Sequence, residues 1–204
     1  MIRVLSFVLT ALLTVSGASA QGITHSQEVE VGTDGLGGSF ASDYIMFDTD
    51  RLNSFIRPFW VNDVLNRVEF GVGPTFKTGP LLHKLTFGFT TDRELMVAGL
   101  WIAKVGNREL MYIVDYKPAP GDTLTSLYQK AYYQLDGKGI VHARYEQLNI
   151  RSLGLIFVRP GVDVRIPFKV REQGMHIFVA PFYDPKNESP GVQVGLRFFG
   201  LKVR

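Results

Sequence analysis

The sequence predicts an all-β fold: a single antiparallel up-and-down β-barrel of about 8–12 strands, an even number favoured, behind a signal peptide. Three observations carry this. From Arg67 to Thr91 the chain alternates apolar and polar residues almost without fault, with a break at Thr78-Gly79-Pro80. Similar alternation recurs to the C-terminus between short turn-forming segments. An apolar segment at the N-terminus ends in small residues, and no later run approaches the roughly 20 apolar residues of a spanning helix.

The N-terminus reads as an export signal, residues 1–20. Met1-Ile2-Arg3 supplies positive charge, Val4 to Val15 an apolar core, and Ser16-Gly17-Ala18-Ser19-Ala20 a small-residue cleavage site before Gln21. The rest, residues 21–204, is expected to form one domain. Within it, residues 21–66 hold N-terminal strands and a Gly-rich loop, with a short helix an option, and residues 67–204 form the main part of the barrel.

Gln27 to Val31 alternates as a short strand, and Gly32 to Gly38 reads as a flexible connection. That Gly-rich stretch lacks the GK[ST] ending of a phosphate loop. Tyr44 to Phe47 suits a strand. Leu52, Phe55, Ile56 and Phe59 have helical spacing, but Pro58 opposes a long helix and tips the segment toward an aromatic-rich strand.

Beyond Arg67 strands are expected near 67–77, 83–91, 95–105, 108–117, 127–135, 139–149, 153–158, 161–170, 175–182 and 192–202. Gly106-Asn107, Asp136-Gly137-Lys138-Gly139 and Asp184-Pro185-Lys186-Asn187 supply turn chemistry between them. Such short links join antiparallel neighbours, because parallel pairs need long crossovers. Arg159-Pro160-Gly161 reads either as a turn or as a bulge inside one long strand.

Composition narrows the function classes. The chain has no cysteine, which excludes a disulfide scaffold and any thiolate metal site. A formal charge of +3 without a dense Lys/Arg run gives no nucleic-acid signature. His25, His83, His142 and His176 lack metal-ligand spacing, so no cofactor is expected. Ser126, Ser152, His142, His176, Glu146 and Asp163 include the residue types of a nucleophile–base–acid set, but no motif joins them.

The choice between a soluble and a membrane barrel rests on the second parity. A soluble barrel turns its apolar parity inward, and a membrane barrel turns it toward lipid. Here the polar parity carries Gly71, Gly73, Thr75, Thr86, Gly88, Thr90 and Gly195 among isolated charges, as suits a crowded interior. The expected lumen-facing residues are Arg67, Glu69, Arg144, Glu146, Asp163, Arg165 and Arg197. The first six form three same-strand pairs of opposite charge. The expected lipid-facing residues are Val68, Phe70, Val72, Leu85, Phe87, Phe89, Val162, Val164, Ile166, Val194, Leu196 and Phe198. Aromatic residues near the expected strand ends, among them Trp101, Tyr116 and Tyr183, suit interfacial girdles.

The last strand sets Val192, Val194, Leu196 and Phe198 against Gln193, Gly195 and Arg197, with Phe199 next. It resembles the final strand of small bacterial outer-membrane β-barrel proteins of the porin-like class. That resemblance implies outer-membrane lipid and the barrel-assembly machinery as partners, with small solutes as cargo if the lumen conducts. Chains of this class end in Phe or Trp, whereas this one continues through Gly200 to Arg204, so the implied signal is internal and ends near Phe199. The function expected is a non-enzymatic envelope barrel, either a narrow channel or a structural and interaction barrel. Two alternatives stand beside it: a soluble periplasmic lipocalin-like barrel binding an apolar ligand, and a lipid-modifying barrel enzyme.

Overall fold

The computed structural model describes residues 24–33, 39–62, 64–92, 94–118, 125–170 and 173–202. The signal-peptide reading of residues 1–20 falls outside them. The described chain folds into thirteen strand segments. They are β1 (Thr24–Thr33), β2 (Ser39–Asp48), β3 (Leu52–Val61), β4 (Val64–Thr78), β5 (Leu81–Thr90), β6 (Leu95–Val105) and β7 (Arg108–Lys117). The remainder are β8 (Ser126–Gln134), β9 (Val141–Ile150), β10 (Gly154–Val158), β11 (Gly161–Val170), β12 (Gln173–Asp184) and β13 (Ser189–Lys202).

Every neighbour is antiparallel, and the sheet closes where β13 pairs with β1 and β8 pairs with β9. β10 and β11 both pair with β9, at Gln147–Ile150 and at Val141–Arg144 respectively. Between them Arg159 exchanges backbone hydrogen bonds with Glu146, at 2.7 and 3.2 Å. The Arg159-Pro160 step is therefore a bulge in one long stave, and the closed barrel has twelve staves. Proline cannot donate to the ladder, which is why the irregularity falls there.

The option of a short helix within residues 21–66 is corrected: Leu52–Val61 is β3. Phe55 is 4% exposed and faces inward, while Leu52 and Ile56 are 54% and 39% exposed on the outer wall. Both faces of this stave carry apolar residues, so its hydrophobic pattern imitates a helix although its period is 2.

The connections are short at both rims. On the rim carrying the chain ends, Gly106-Asn107 links β6 to β7, with Gly106 at φ +63° where other residues are strained. Asp136 organises the β8–β9 turn by accepting from the Val141 and Ile140 amides at 3.0 and 2.9 Å. Those amides, Val141 first, hold its carboxyl below the ordinary range. On the opposite rim the longest connection, 118–125, is eight residues.

Inside the barrel, glycines lie under aromatic rings of the neighbouring stave. Phe55 covers Gly71, Phe178 covers Gly195, and Phe182 covers Gly191, each directly across the ladder. Such pairs let a strongly curved sheet keep its inner surface packed. Gly88 is held tighter still, because a Cβ there would collide with the Phe70 carbonyl oxygen and lie 2.8 Å from Gly71 Cα. Gly88→Val is expected to block β4–β5 closure. The check is heat-modifiable gel migration after refolding, in which the variant should lose the fast-running folded band.

The barrel is inverted relative to a water-soluble protein. Val72, Phe87, Phe89 and Leu95 are 56–62% exposed on the outer wall. Buried charged groups, among them Glu69, Arg144, Asp163 and Arg197, lie inside. This overturns the soluble lipocalin-like alternative, which required the apolar parity to line the interior.

Candidate functional site

The lumen is the candidate site, and the ladder decides which side chains enter it. Glu28 and Glu30 face inward from β1, Arg57 from β3, Arg67 and Glu69 from β4. Asp115 and Lys117 come from β7, Lys130 from β8, Arg144 and Glu146 from β9. Where a stave supplies two of them, they are spaced by two, as one face of a strand requires.

A first cluster centres on Glu69. Arg57 Nε donates to Glu69 Oε2 at 2.6 Å, and Arg57 Nη2 donates to Asp115 Oδ2 at 2.6 Å. Lys117 Nζ donates to Glu69 Oε1, and Arg67 Nε lies 2.9 Å from the same oxygen. β3 and β7 stand four staves apart, so Arg57 reaches across the lumen rather than along the wall.

A second cluster spans further. Lys130 Nζ donates to Glu30 Oε2 and Arg144 Nη2 to Glu30 Oε1, both at 3.2 Å. β8 and β1 are five staves apart, one short of diametric opposition in a twelve-stave cylinder. Arg144 also donates to Glu146 at 2.9 Å, and Glu146 accepts from Tyr128 Oη at 2.5 Å and Gln193 Nε2 at 3.2 Å. Side chains from nearly opposite walls are in contact, so the lining bridges the lumen at this level.

The third cluster gathers cations around one ring. Lys130, Arg144, Arg165 and Arg197 lie 5.2–5.8 Å from the centroid of Tyr132, which is 2% exposed. Cations near an aromatic face are attracted by its quadrupole, more so when desolvated. Arg165 donates to Asp163 at 3.0 Å, and Arg197 donates to Glu28 at 2.5 Å. Near the opposite rim, Asp184 accepts from the Lys186 amide at 3.0 Å and from Asn187 Nδ2 at 2.7 Å, which shapes the β12–β13 hairpin.

Of the residues expected to face the lumen, Glu69, Arg144, Glu146, Asp163, Arg165 and Arg197 are buried on the inner parity. Arg67 is on the same parity, with its side chain 30% exposed. The pairs Arg67–Glu69, Arg144–Glu146 and Asp163–Arg165 are at 2.9, 2.9 and 3.0 Å. Sequence reasoning missed Glu28, Glu30, Arg57, Asp115, Lys117 and Lys130. Glu28 and Glu30 alternate with Val29 and Val31, so parity alone was sufficient to assign them. Their cross-lumen partners had no signal in the sequence.

Of the residues expected to face lipid, Val72, Phe87, Phe89, Val162, Ile166 and Val194 are exposed on the outer parity. Val68, Phe70, Leu85, Val164 and Leu196 share that parity and are half-buried. The side chain of Phe198 lies outside the described residues. The outer wall is not uniformly apolar: Gln27 Nε2 donates to both Asp43 oxygens, at 2.7 and 2.9 Å.

No group of three or more metal-ligating side chains occurs among the described residues. Glu146 and Asp163, two acids of the conceivable nucleophile-activating set, are both engaged by arginines.

No protein-family model and no curated protein matches this chain. Solved structures do. The KdgM porin in complex with disordered oligogalacturonate aligns at a TM-score of 0.59 and 13% identity, over 85% of this chain and 98% of that one. Omp33 of Acinetobacter baumannii, an outer membrane protein, aligns at 0.50 and 6% identity, over 88% and 98%. The fold is therefore that of small porin-like outer-membrane β-barrels.

Proposed function

We propose that this chain is a non-enzymatic barrel of the bacterial outer membrane that acts as a narrow, low-conductance channel for small solutes. The observation that carries this reading is the contact of Glu30 with Lys130 and Arg144 across the lumen. A twelve-stave cylinder has room for a water passage, and these charged crossbars fill it. The apolar outer wall supports insertion in lipid, since closed barrels satisfy every backbone group there. Residues 1–20 would direct export, and the strand ending near Phe199 would engage the assembly machinery.

The oligogalacturonate of the compared porin is not carried over to this chain. Nine cationic side chains meet eight carboxylates in the ion pairs of the described residues. Within these pairs the charges nearly balance, so the pairs themselves supply little net field to draw in a polyanion.

Planar-bilayer reconstitution tests the reading. The expected result is brief, small current steps with weak ion preference. Large, long-lived steps of an open general porin would reject it, and so would complete silence under every applied voltage. Membrane placement is tested separately by Phe87→Arg. An arginine on the lipid face near the bilayer midplane costs about 2–4 kcal/mol. The variant's unfolding midpoint in lipid should fall accordingly, and an unchanged midpoint would argue against lipid at that position.

A further inference from the structure

The outer wall changes character around the barrel. Across β4, β5 and β6 it exposes Val72, Phe87, Phe89, Leu95 and Val97. On β8 and β9 the same parity carries Gln129 and Gln147, directly opposite each other across the ladder, with Tyr145 next along β9. Tyr145 Oη donates to Gln147 Oε1, and Gln147 Nε2 donates to Gln129 Oε1 at 3.2 Å. This relay stops at Gln129 Nε2, whose hydrogens meet no acceptor among the described residues.

Both glutamines lie three residues inside their strands, counted from the nearer end. A strand of about 9–11 residues spans the hydrocarbon, so that depth is below the headgroups. An amide N–H without an acceptor is costly there, and acyl chains offer none. Gln129 Oε1 also keeps a second lone pair after accepting from Gln147. The carboxamide thus presents a free donor beside a free acceptor, and the group that matches both at this depth is an identical carboxamide.

We propose that the β8–β9 wall is the interface of a homodimer, with the two copies related by a two-fold axis along the membrane normal. Such an axis brings one patch against itself at a single depth. Gln129 Nε2 of each copy donates to Gln129 Oε1 of the partner subunit, which closes a reciprocal pair of hydrogen bonds. The inference needs the outer wall to face lipid, and it does not need the lumen to conduct. A silent bilayer recording would reject the channel and leave the dimer standing.

The chain has no cysteine, so a single introduced thiol reports one position cleanly. Ala131→Cys lies two residues from Gln129 on the same face, and Val114→Cys lies opposite Gln129 on β7. Ile56→Cys is the control, exposed on the outer wall of β3, five staves from β8. Each refolded barrel is placed in phosphatidylethanolamine–phosphatidylglycerol vesicles at falling protein-to-lipid ratio and oxidised with copper phenanthroline. The first two positions should give a disulfide-linked dimer whose yield holds on dilution with lipid. The control yield should fall in proportion as collisions become rarer. Gln129→Leu, added to either interface thiol, should move the dilution midpoint roughly tenfold toward higher protein, through loss of the paired amide bonds.

Heat-modifiable migration establishes that each variant is folded, and Gln129→Met replaces Gln129→Leu if the latter is not. Equal cross-linking at the interface and control positions would overturn the proposal. So would a purely collisional yield at both interface thiols, or a midpoint that removal of the Gln129 amide leaves unmoved.

Discussion

Replacing Glu69 by alanine is expected to give the largest loss of stability of any single change in the lumen. Its side chain is 1% exposed and contacts Arg57, Arg67 and Lys117 together. Removing it leaves three guanidinium and ammonium groups facing one another with only Asp115, already bound by Arg57, nearby. Breaking a buried ionic network from one side costs about 3–5 kcal/mol, because the remaining charges are uncompensated. Urea unfolding in lipid should show that loss in the midpoint without a change in slope. The surviving folded fraction should also prefer anions, readable as a shifted reversal potential in a salt gradient. Glu69→Asp should recover part of both effects, since it restores the charge at shorter reach. A Glu69→Ala barrel as stable as wild type would mean that the cluster is hydrated enough to relax.

The second large effect concerns conductance. Glu30→Ala combined with Lys130→Ala removes the crossbar that spans five staves. Both partners leave together, so no buried charge of that pair is orphaned, and Arg144 keeps Glu146 at 2.9 Å. The expected cost in stability is therefore small. The lumen, however, loses the contact that bridges it, and single-channel current should rise on the order of tenfold as water fills the gap. Glu30→Ala alone should conduct less than the double variant, because Lys130 still projects into the passage. Unchanged current in the double variant would place the restriction at the Glu69 cluster instead.

The alternation beginning at Arg67 made most of the fold legible before any coordinates. Phe70, Val72, Phe87 and Phe89 repeat every second residue, and that spacing has few other physical explanations. The N-terminal third resisted the same treatment because β3 carries apolar residues on both sides, with Phe55 inside and Ile56 outside. The Arg159-Pro160 bulge was ambiguous for a related reason. A proline ends pairing locally whether the chain turns or continues, and only the ladder to Glu146 distinguishes the two. In the lumen, same-strand charge pairs such as Arg144 and Glu146 were readable from their spacing of two. The contacts of Glu30 with Lys130 and Arg144 depend on barrel closure, stave number and shear together. No local pattern encodes those quantities, so the crossbars emerge only from the assembled cylinder.

The brevity of the rim connections bears on how such a pore would switch. Between the described strands, no connection on the rim opposite the chain ends exceeds eight residues, too short a span for a long flap that swings inward as a plug. Opening and closing would fall to rotamer exchange among arginines, lysines and carboxylates already in the bore. Such exchange is far faster than loop rearrangement. Electrical recordings should then show rapid flicker in place of slow, voltage-driven closures.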